Sequence, residues 1–112
     1  MADGRPDVLI TGIGIVSCLG EGPDAHWQRL NKQVPAHDAT TFAPCITHPI
    51  VAIDFDKQIS KKGDQRQMEP WQRMGTYAAG LALDSAGVKG NAELLDNMDM
   101  IVWIIFVILY DA

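Results

Sequence analysis

The chain has 112 residues, of which 47% are hydrophobic and 21% are charged. These proportions are ordinary for a globular domain and favour neither an intrinsically disordered chain nor a membrane protein. The net charge of −5, without a basic arm, argues against nucleic acid as a partner.

The first predicted element is a strand. Val8 to Val16 is a nearly continuous apolar run rich in β-branched residues, typical of a strand buried on both faces of a parallel or mixed sheet. Gly12 and Gly14 interrupt the run, which indicates that another backbone or a tight bend comes close there. A dinucleotide-binding turn is the alternative interpretation. The sequence does not support this alternative. Ser17 occupies the position of the motif's third glycine, and Asn31 to Gln33 occupy the position where the motif has an acidic residue.

A helix is predicted next. Pro23 suits its first turn, and the pattern continues to about Leu30, with Trp27 and Leu30 on one face that is expected to pack against the sheet. Residues 31–49 contain three prolines and no sustained period, which predicts an irregular meander. Residues 50–55 alternate weakly and predict a short strand.

The best helical pattern follows a charged stretch. Asp64 or Glu69 can cap the helix, Pro70 suits its first position and Gly87 its end. Its face carries small side chains that allow a close neighbour: Gly75, Ala78, Ala79, Gly80, Ala82 and Ala86. Residues 94–100 predict a short helix or turn.

The C-terminal residues 101–112 form an atypical apolar tail. Ten consecutive apolar residues, Ile101 to Tyr110, are too few to span a membrane and predict a fully buried strand. Three origins of this tail stay open: natural divergence, truncation, or terminal residues that do not represent the gene. If these are the true residues, the segment is prone to aggregate unless other parts of a fold cover both of its faces.

Few residues have the pattern of a reactive site. Cys18 and Cys45 match no metal or redox spacing and are expected to be buried, inert thiols. The histidines His26, His37 and His48 are expected on the surface or in loops. Asp54 and Asp56 are not accompanied by other residues that could bind a metal ion with them. The sequence also shows no pattern of a serine–histidine–aspartate catalytic triad. The sequence therefore nominates no catalytic, cofactor-binding or metal-binding residue, and no cofactor.

Two separated blocks resemble the β-ketoacyl-[acyl-carrier-protein] synthases of the thiolase-like superfamily. The first is VLITGIGIVSCLG, Val8 to Gly20, followed by EGPDAHWQRL. The second is KKGDQRQMEPWQRMGTYAAGLALDSAGV, Lys61 to Val88. Members of this family are several times longer, and their nucleophilic cysteine and paired histidines come later than these 112 residues. The resemblance implies an α/β chain, the N-terminal portion (residues 1–112) of an incomplete thiolase-like fold with a mixed sheet and packed helices.

The resemblance also implies a function. Synthases of this kind perform decarboxylative Claisen condensation of acyl thioesters with malonyl carrier protein, in fatty-acid or polyketide synthesis. It implies an acyl carrier protein and a homodimer partner, and the cationic stretch Lys57 to Arg66 is either a docking patch for the carrier or a solvated lead-in to the helix. Because the catalytic region is missing, the chain alone is expected to be inactive, in a reducing, cytoplasmic setting. A non-catalytic synthase-like scaffold or interaction module is the alternative.

Overall fold

One small hairpin and four helices form the regular structure in a computed structural model that describes residues 3–5, 7–33 and 36–103. Strand β1 (Val16–Ser17) pairs antiparallel with β2 (Gly20–Glu21), and helix α1 (Gly22–Lys32) follows immediately. After a long irregular segment come a 3₁₀ turn (Phe55–Lys57) and the helices α2 (Lys62–Gln67), α3 (Pro70–Ala86) and α4 (Ala92–Asp96). The chain has α/β content, as predicted.

The limits of α1 and α3 follow from local signals in the sequence. Pro23 lies in the first turn of α1, where its fixed φ suits a helix and its missing N–H is not needed. Glu69 and Gln72 form a reciprocal capping box at the start of α3, around Pro70. Gly87 ends α3 with a left-handed φ of 70°, which glycine adopts without steric cost. Both predicted helices are confirmed. The short helix α2 was not predicted and lies in the cationic stretch interpreted as a docking patch or a solvated lead-in to the next helix.

The opening apolar run does not form the doubly buried strand that was predicted. Residues 8–15 have no strand partner among the described residues, and the side chains of Val8, Leu9 and Ile10 are 94%, 76% and 83% exposed. The physical reason is that a strand is defined by its pairing, and the described chain supplies no neighbour for this one. The apolar pattern indicates a segment suited to a sheet; its backbone groups at residues 8–12 form no hydrogen bond within the described residues.

One side of the opening segment nevertheless rests directly on α3. A methyl group added at Gly14 would overlap the carbonyl oxygen of Ala78 and lie 2.6 Å from the amide nitrogen of Ala82. One added at Gly12 would lie 2.8 Å from the Cβ atom of Ala86. The two glycines therefore admit the backbone of a helix whose facing side chains are alanines. The opening run and the alanine-rich helix therefore pack together.

The interior is small. Ile59 and Tyr77 are the buried apolar side chains of the described residues. Beside them, Gly80 of α3 makes room for the side chain of Gln58, whose amide donates to Asp84 Oδ2 at 2.7 Å. Lys89 forms an ion pair with Asp84 at 2.8 Å, so the hydrogen bonds from Lys89 and Gln58 lower the pKa of that carboxyl group. These polar contacts fasten the preceding loop to α3 where apolar packing is thin.

Two other expectations about packing and strands are wrong. Trp27 and Leu30 do share a face of α1, but they are 68% and 60% exposed because no sheet lies against that face in the described structure. Residues 50–55 form no strand, and the chain turns instead into the 3₁₀ turn at Phe55, whose start is capped by Asp54 accepting from the Asp56 N–H at 3.2 Å. The helix α4 agrees with the short helix predicted nearby. The meander of 31–49 is irregular where it is described, apart from one bridge between Asp38 and Thr47.

The apolar tail is described only at its start. Residues 101–103 form no strand and are exposed, contrary to the predicted buried strand, because no strand of the described structure pairs with them. The remainder of that prediction, residues 104–110, lies outside the described residues. Of the helices in residues 3–5, 7–33 and 36–103, none combines the length and the apolarity that crossing a bilayer requires.

Candidate functional site

A serine–histidine pair stabilises the corner between the hairpin and α1. Ser17 Oγ lies 2.6 Å from His26 Nε2, and His26 Nδ1 lies 2.7 Å from the carbonyl oxygen of Gly22. Since a carbonyl can only accept, Nδ1 carries the hydrogen; in the neutral ring Nε2 is then the acceptor, and the serine hydroxyl donates to it. The Leu19 N–H donates to the same Ser17 Oγ at 3.0 Å. The expected surface position of His26 is therefore wrong, because the ring is buried and both its nitrogens are paired.

The chemistry available at this corner is limited. A serine that donates to an oriented imidazole is the first half of a nucleophile–base pair. The second half would be a carboxylate on Nδ1, which would stabilise the imidazolium ion, but here Nδ1 donates to the Gly22 carbonyl. Ser17 Oγ is also committed to closing its own turn through the Leu19 amide. The pair thus joins the hairpin to the first turn of α1, and we assign it a structural role.

A second polar contact crosses the molecule. Tyr77, in the middle of α3, is fully buried, and its hydroxyl donates to Glu21 Oε2 at 2.7 Å. The ring packs edge-on against Phe55, with 5.9 Å between centroids, and the Arg73 guanidinium lies 5.6 Å from the Phe55 centroid. Burial, together with the hydrogen bond to Glu21, raises the pKa of Tyr77 to about 12. At neutral pH this tyrosine is a fixed hydrogen-bond donor.

The raised pKa makes stability depend on pH in the alkaline range. The folded state holds the Tyr77 proton more tightly than the unfolded chain, whose tyrosine has a pKa of about 10. The stabilisation is therefore complete below about pH 10 and is lost as the pH rises through about 12, a total on the order of 3 kcal/mol. Urea unfolding at a series of pH values should show this decline. Tyr77→Phe should remove this component, whereas an equal decline in Tyr77→Phe would contradict it.

The remaining residues of interest lie apart. Cys18 and Cys45 are free thiols that are partly exposed, rather than buried as expected, because each lies in a turn of the chain. His37 and His48 are exposed, as their loop positions suggested, and their rings lie near each other beside the Asp38–Thr47 bridge. Within the described part of the chain, no group of three or more histidine, cysteine, aspartate or glutamate side chains is placed to hold a metal ion.

The acidic and basic side chains around α2 form a mixed-charge surface. Lys62 pairs with Asp56 at 2.5 Å, and Gln65 also donates to Asp56 at 2.7 Å, so hydrogen bonds from Lys62 and Gln65 lower the pKa of the Asp56 carboxyl group. Lys61 and Arg66 are exposed and form no ion pair within residues 3–5, 7–33 and 36–103. The predicted cationic stretch, Lys57 to Arg66, is therefore partly neutralised by the adjacent Asp56.

An open, mostly apolar cleft runs along α3. Its volume is about 470 Å³, and no charged side chain is among the residues that line it: Met68, Trp71, Gln72, Gly75, Thr76, Ala79 and Val102. A cleft of this composition can bind apolar groups, but its lining offers no acid or base that could activate the Thr76 hydroxyl. We therefore assign this cleft a role in packing and not in catalysis.

The two glycines of the opening segment decide against the dinucleotide interpretation. In a dinucleotide-binding turn the glycines let a pyrophosphate approach the backbone. Here Gly12 and Gly14 face α3, and the space beside them is filled by the backbone and side chains of Ala78, Ala82 and Ala86. Their physical role is the close approach of chain and helix.

Comparison with known proteins gives one match. The family model described as beta-ketoacyl synthase, N-terminal domain, matches residues 5–105, which is nearly the whole chain. No curated protein and no solved structure matches with significance. The matched range contains both sequence blocks, the glycine contact between the opening segment and α3, the Ser17–His26 corner and the Tyr77–Glu21 bond. The chain therefore belongs to the β-ketoacyl synthase family, as part of its N-terminal domain.

Proposed function

We propose that the chain is the N-terminal portion of a β-ketoacyl-[acyl-carrier-protein] synthase and serves as scaffold in decarboxylative Claisen condensation. The observation that carries this proposal is the opening segment, residues 8–15. Its glycines rest on α3, while the apolar side chains of Val8, Leu9 and Ile10 remain exposed. The backbone groups of residues 8–12 form no hydrogen bond within the described residues, so a segment packed on one side and unpaired at this end fits the inner part of a larger sheet.

The chain is less compact than a complete domain of its length and exposes large apolar side chains, which supports the same proposal. The Cα radius of gyration is 17.4 Å, whereas a compact domain of this length has about 13 Å. Large apolar side chains, Trp27 and Trp71 among them, lie on the surface. Burying them needs additional chain, which the rest of a synthase would supply.

The residues that carry the reaction belong, in this proposal, to other parts of the synthase. The family reaction uses a cysteine that accepts an acyl group and two histidines that stabilise the thioester oxyanion during condensation. In the described structure His26 is held by Ser17 and Gly22, and His37 and His48 lie in a surface loop. The present residues would thus position the sheet and helix on which the reactive groups are assembled.

The proposed partners are an acyl carrier protein and a second copy of the synthase. Carrier proteins of this kind are acidic, and the exposed cations Lys57, Lys61 and Arg66 lie on and around α2. The pairing of Lys62 with Asp56 makes the attraction modest. A reducing, cytoplasmic setting is part of the proposal, supported by the free thiols of Cys18 and Cys45.

Two assays test the proposal. The 112-residue chain, incubated with acyl and malonyl carrier proteins, should form no condensation product above the enzyme-free background. A chimera in which residues 5–100 replace the matching portion of a complete β-ketoacyl synthase should be soluble and should form product, because the grafted scaffold packs the same sheet. Product from the chain alone, or a folded chimera without activity, would contradict the proposal.

A non-catalytic interaction module is the second candidate, and the exposed apolar residues 8–10 and 101–103 favour it. Size-exclusion chromatography with light scattering separates the two. A discrete soluble oligomer with cooperative unfolding would support the module. A folded monomer that aggregates through these exposed residues as its concentration rises would support a portion of a larger enzyme.

A further inference from the structure

The loop between α1 and the 3₁₀ turn contains a short, well-defined ladder. Asp38 and Thr47 exchange both backbone hydrogen bonds: the Asp38 N–H donates to Thr47 O at 2.7 Å, and the Thr47 N–H donates to Asp38 O at 2.8 Å. They are a hydrogen-bonded antiparallel pair. The next pair outward, His37 and His48, is then a non-hydrogen-bonded pair, in which facing side chains come closest.

The two imidazole rings face each other at a separation close to that of metal ligands. Their centroids are 6.2 Å apart, the ring planes are inclined by 60°, and both residues are exposed. Two imidazoles on one tetrahedral zinc ion, with Zn–N bonds of about 2.0–2.1 Å, have centroids about 5 Å apart. Rotation of the exposed side chains about χ1 and χ2 can close the remaining gap of about 1 Å. We propose that His37 and His48 form a two-histidine site for a divalent transition-metal ion.

The loop backbone is held in place for such a site. The Asp38 carboxylate accepts from the Thr40 N–H at 2.9 Å and from the Thr41 N–H at 3.0 Å. The Cys45 N–H donates to Phe42 O at 2.9 Å, which closes the tip of the loop. The two histidines are therefore already opposite each other before an ion binds, and little backbone freedom remains to be lost.

The kind of ion follows from the donors. Neutral imidazole suits Zn²⁺, Ni²⁺ and Cu²⁺, whereas Mg²⁺ and Ca²⁺ prefer oxygen. No third protein donor joins the pair among the described residues, so water would complete the coordination shell. The site should accordingly bind more weakly than a four-ligand structural zinc centre. It is independent of the proposed synthase function.

Isothermal titration of the whole 112-residue chain with Ni²⁺, and separately with Zn²⁺, tests the site. We expect one ion per chain. His37→Ala and His48→Ala should each lower the affinity at least about tenfold, and by similar factors, because either change breaks the chelate. Both residues are exposed, so the circular dichroism of the variants should match that of the parent chain. Ni²⁺ should raise the thermal midpoint of the parent but not of the variants.

Two matched variants exclude other ligands. Cys45→Ser, in the same loop, and His26→Gln, in the buried corner, should each leave the affinity unchanged. The proposal is overturned if the parent chain binds neither ion at millimolar concentration, or if a His37 or His48 variant keeps the parent's affinity. A loss of affinity in Cys45→Ser comparable to that in His37→Ala would also overturn it, since the ion would then be held by a thiolate.

Discussion

Replacing Gly14 by alanine should destabilise the chain by about 3 kcal/mol, at the upper end of the usual cost of overpacking. The new methyl group would overlap the Ala78 carbonyl oxygen and lie 2.6 Å from the Ala82 amide nitrogen. These are backbone atoms of a continuous helix, so they cannot move aside as a flexible side chain could. The opening segment would have to lift off α3, and urea unfolding should show a lower midpoint.

Gly63→Ala is the matched control. Gly63 lies within α2 and has open space where the methyl group would point, so alanine should stabilise the helix by up to about 1 kcal/mol. The opposite signs at two glycines distinguish a close backbone contact from a general effect of substitution. If Gly14→Ala leaves the midpoint unchanged, the segment does not rest on α3 in solution, and the observation that supports the synthase scaffold is lost.

The parts of the fold that were predictable are those whose causes lie within a few residues. Pro23 and Pro70 favour the first turns of α1 and α3, and Gly87 ends α3 because only a residue tolerant of positive φ suits that position. The close approach at Gly12 and Gly14 was also predictable, since a glycine within a β-branched run commonly marks a bend or a closely approaching backbone. Which element makes the approach is a tertiary fact that the run itself does not contain.

The burial of the apolar residues was not predictable in the same way. Trp27 and Leu30 have the spacing of a packed face, and residues 8–10 have the composition of an inner strand. Both patterns describe what a residue is suited to pack against, and the described chain does not provide that neighbour. Periodicity predicts the side of an element that should be covered, whereas actual burial depends on whether covering chain is present.

Hydrogen bonds between distant polar side chains were also difficult to predict from the sequence. Tyr77 and Glu21 are 56 residues apart in sequence, and no spacing rule pairs them. Ser17 and His26 are nine residues apart, and their contact depends on the turn of the hairpin and the first turn of α1 together. One signal for His26 was available, because it lies four residues after Gly22 and can reach back to that carbonyl across one helical turn. A histidine in the first turns of a helix should therefore be tested for such a bond before it is assigned to the surface.

Tyr77→Ala should have the largest effect on folding. Tyr77 is fully buried and is one of two buried apolar side chains in the described residues, so its removal empties most of the interior. Truncating a large core aromatic residue usually costs about 3–5 kcal/mol, a large share of the roughly 5–15 kcal/mol of a typical complete domain. Because this interior is small, the variant should be largely unfolded in water, with loss of the helical circular dichroism signal.

Two further variants separate the causes. Tyr77→Phe keeps the ring against Phe55 and removes only the hydroxyl bonded to Glu21, so it should cost about 1–2 kcal/mol. Trp27→Ala removes an even larger aromatic side chain that is 68% exposed, and should change stability by less than about 0.5 kcal/mol. The loss of stability should therefore decrease in the order Tyr77→Ala, Tyr77→Phe, Trp27→Ala. This order reflects how deeply the removed atoms are buried and not the size of the side chain. A Trp27 variant as unstable as Tyr77→Ala would mean that α1 packs against another surface in solution, and that the core does not centre on α3.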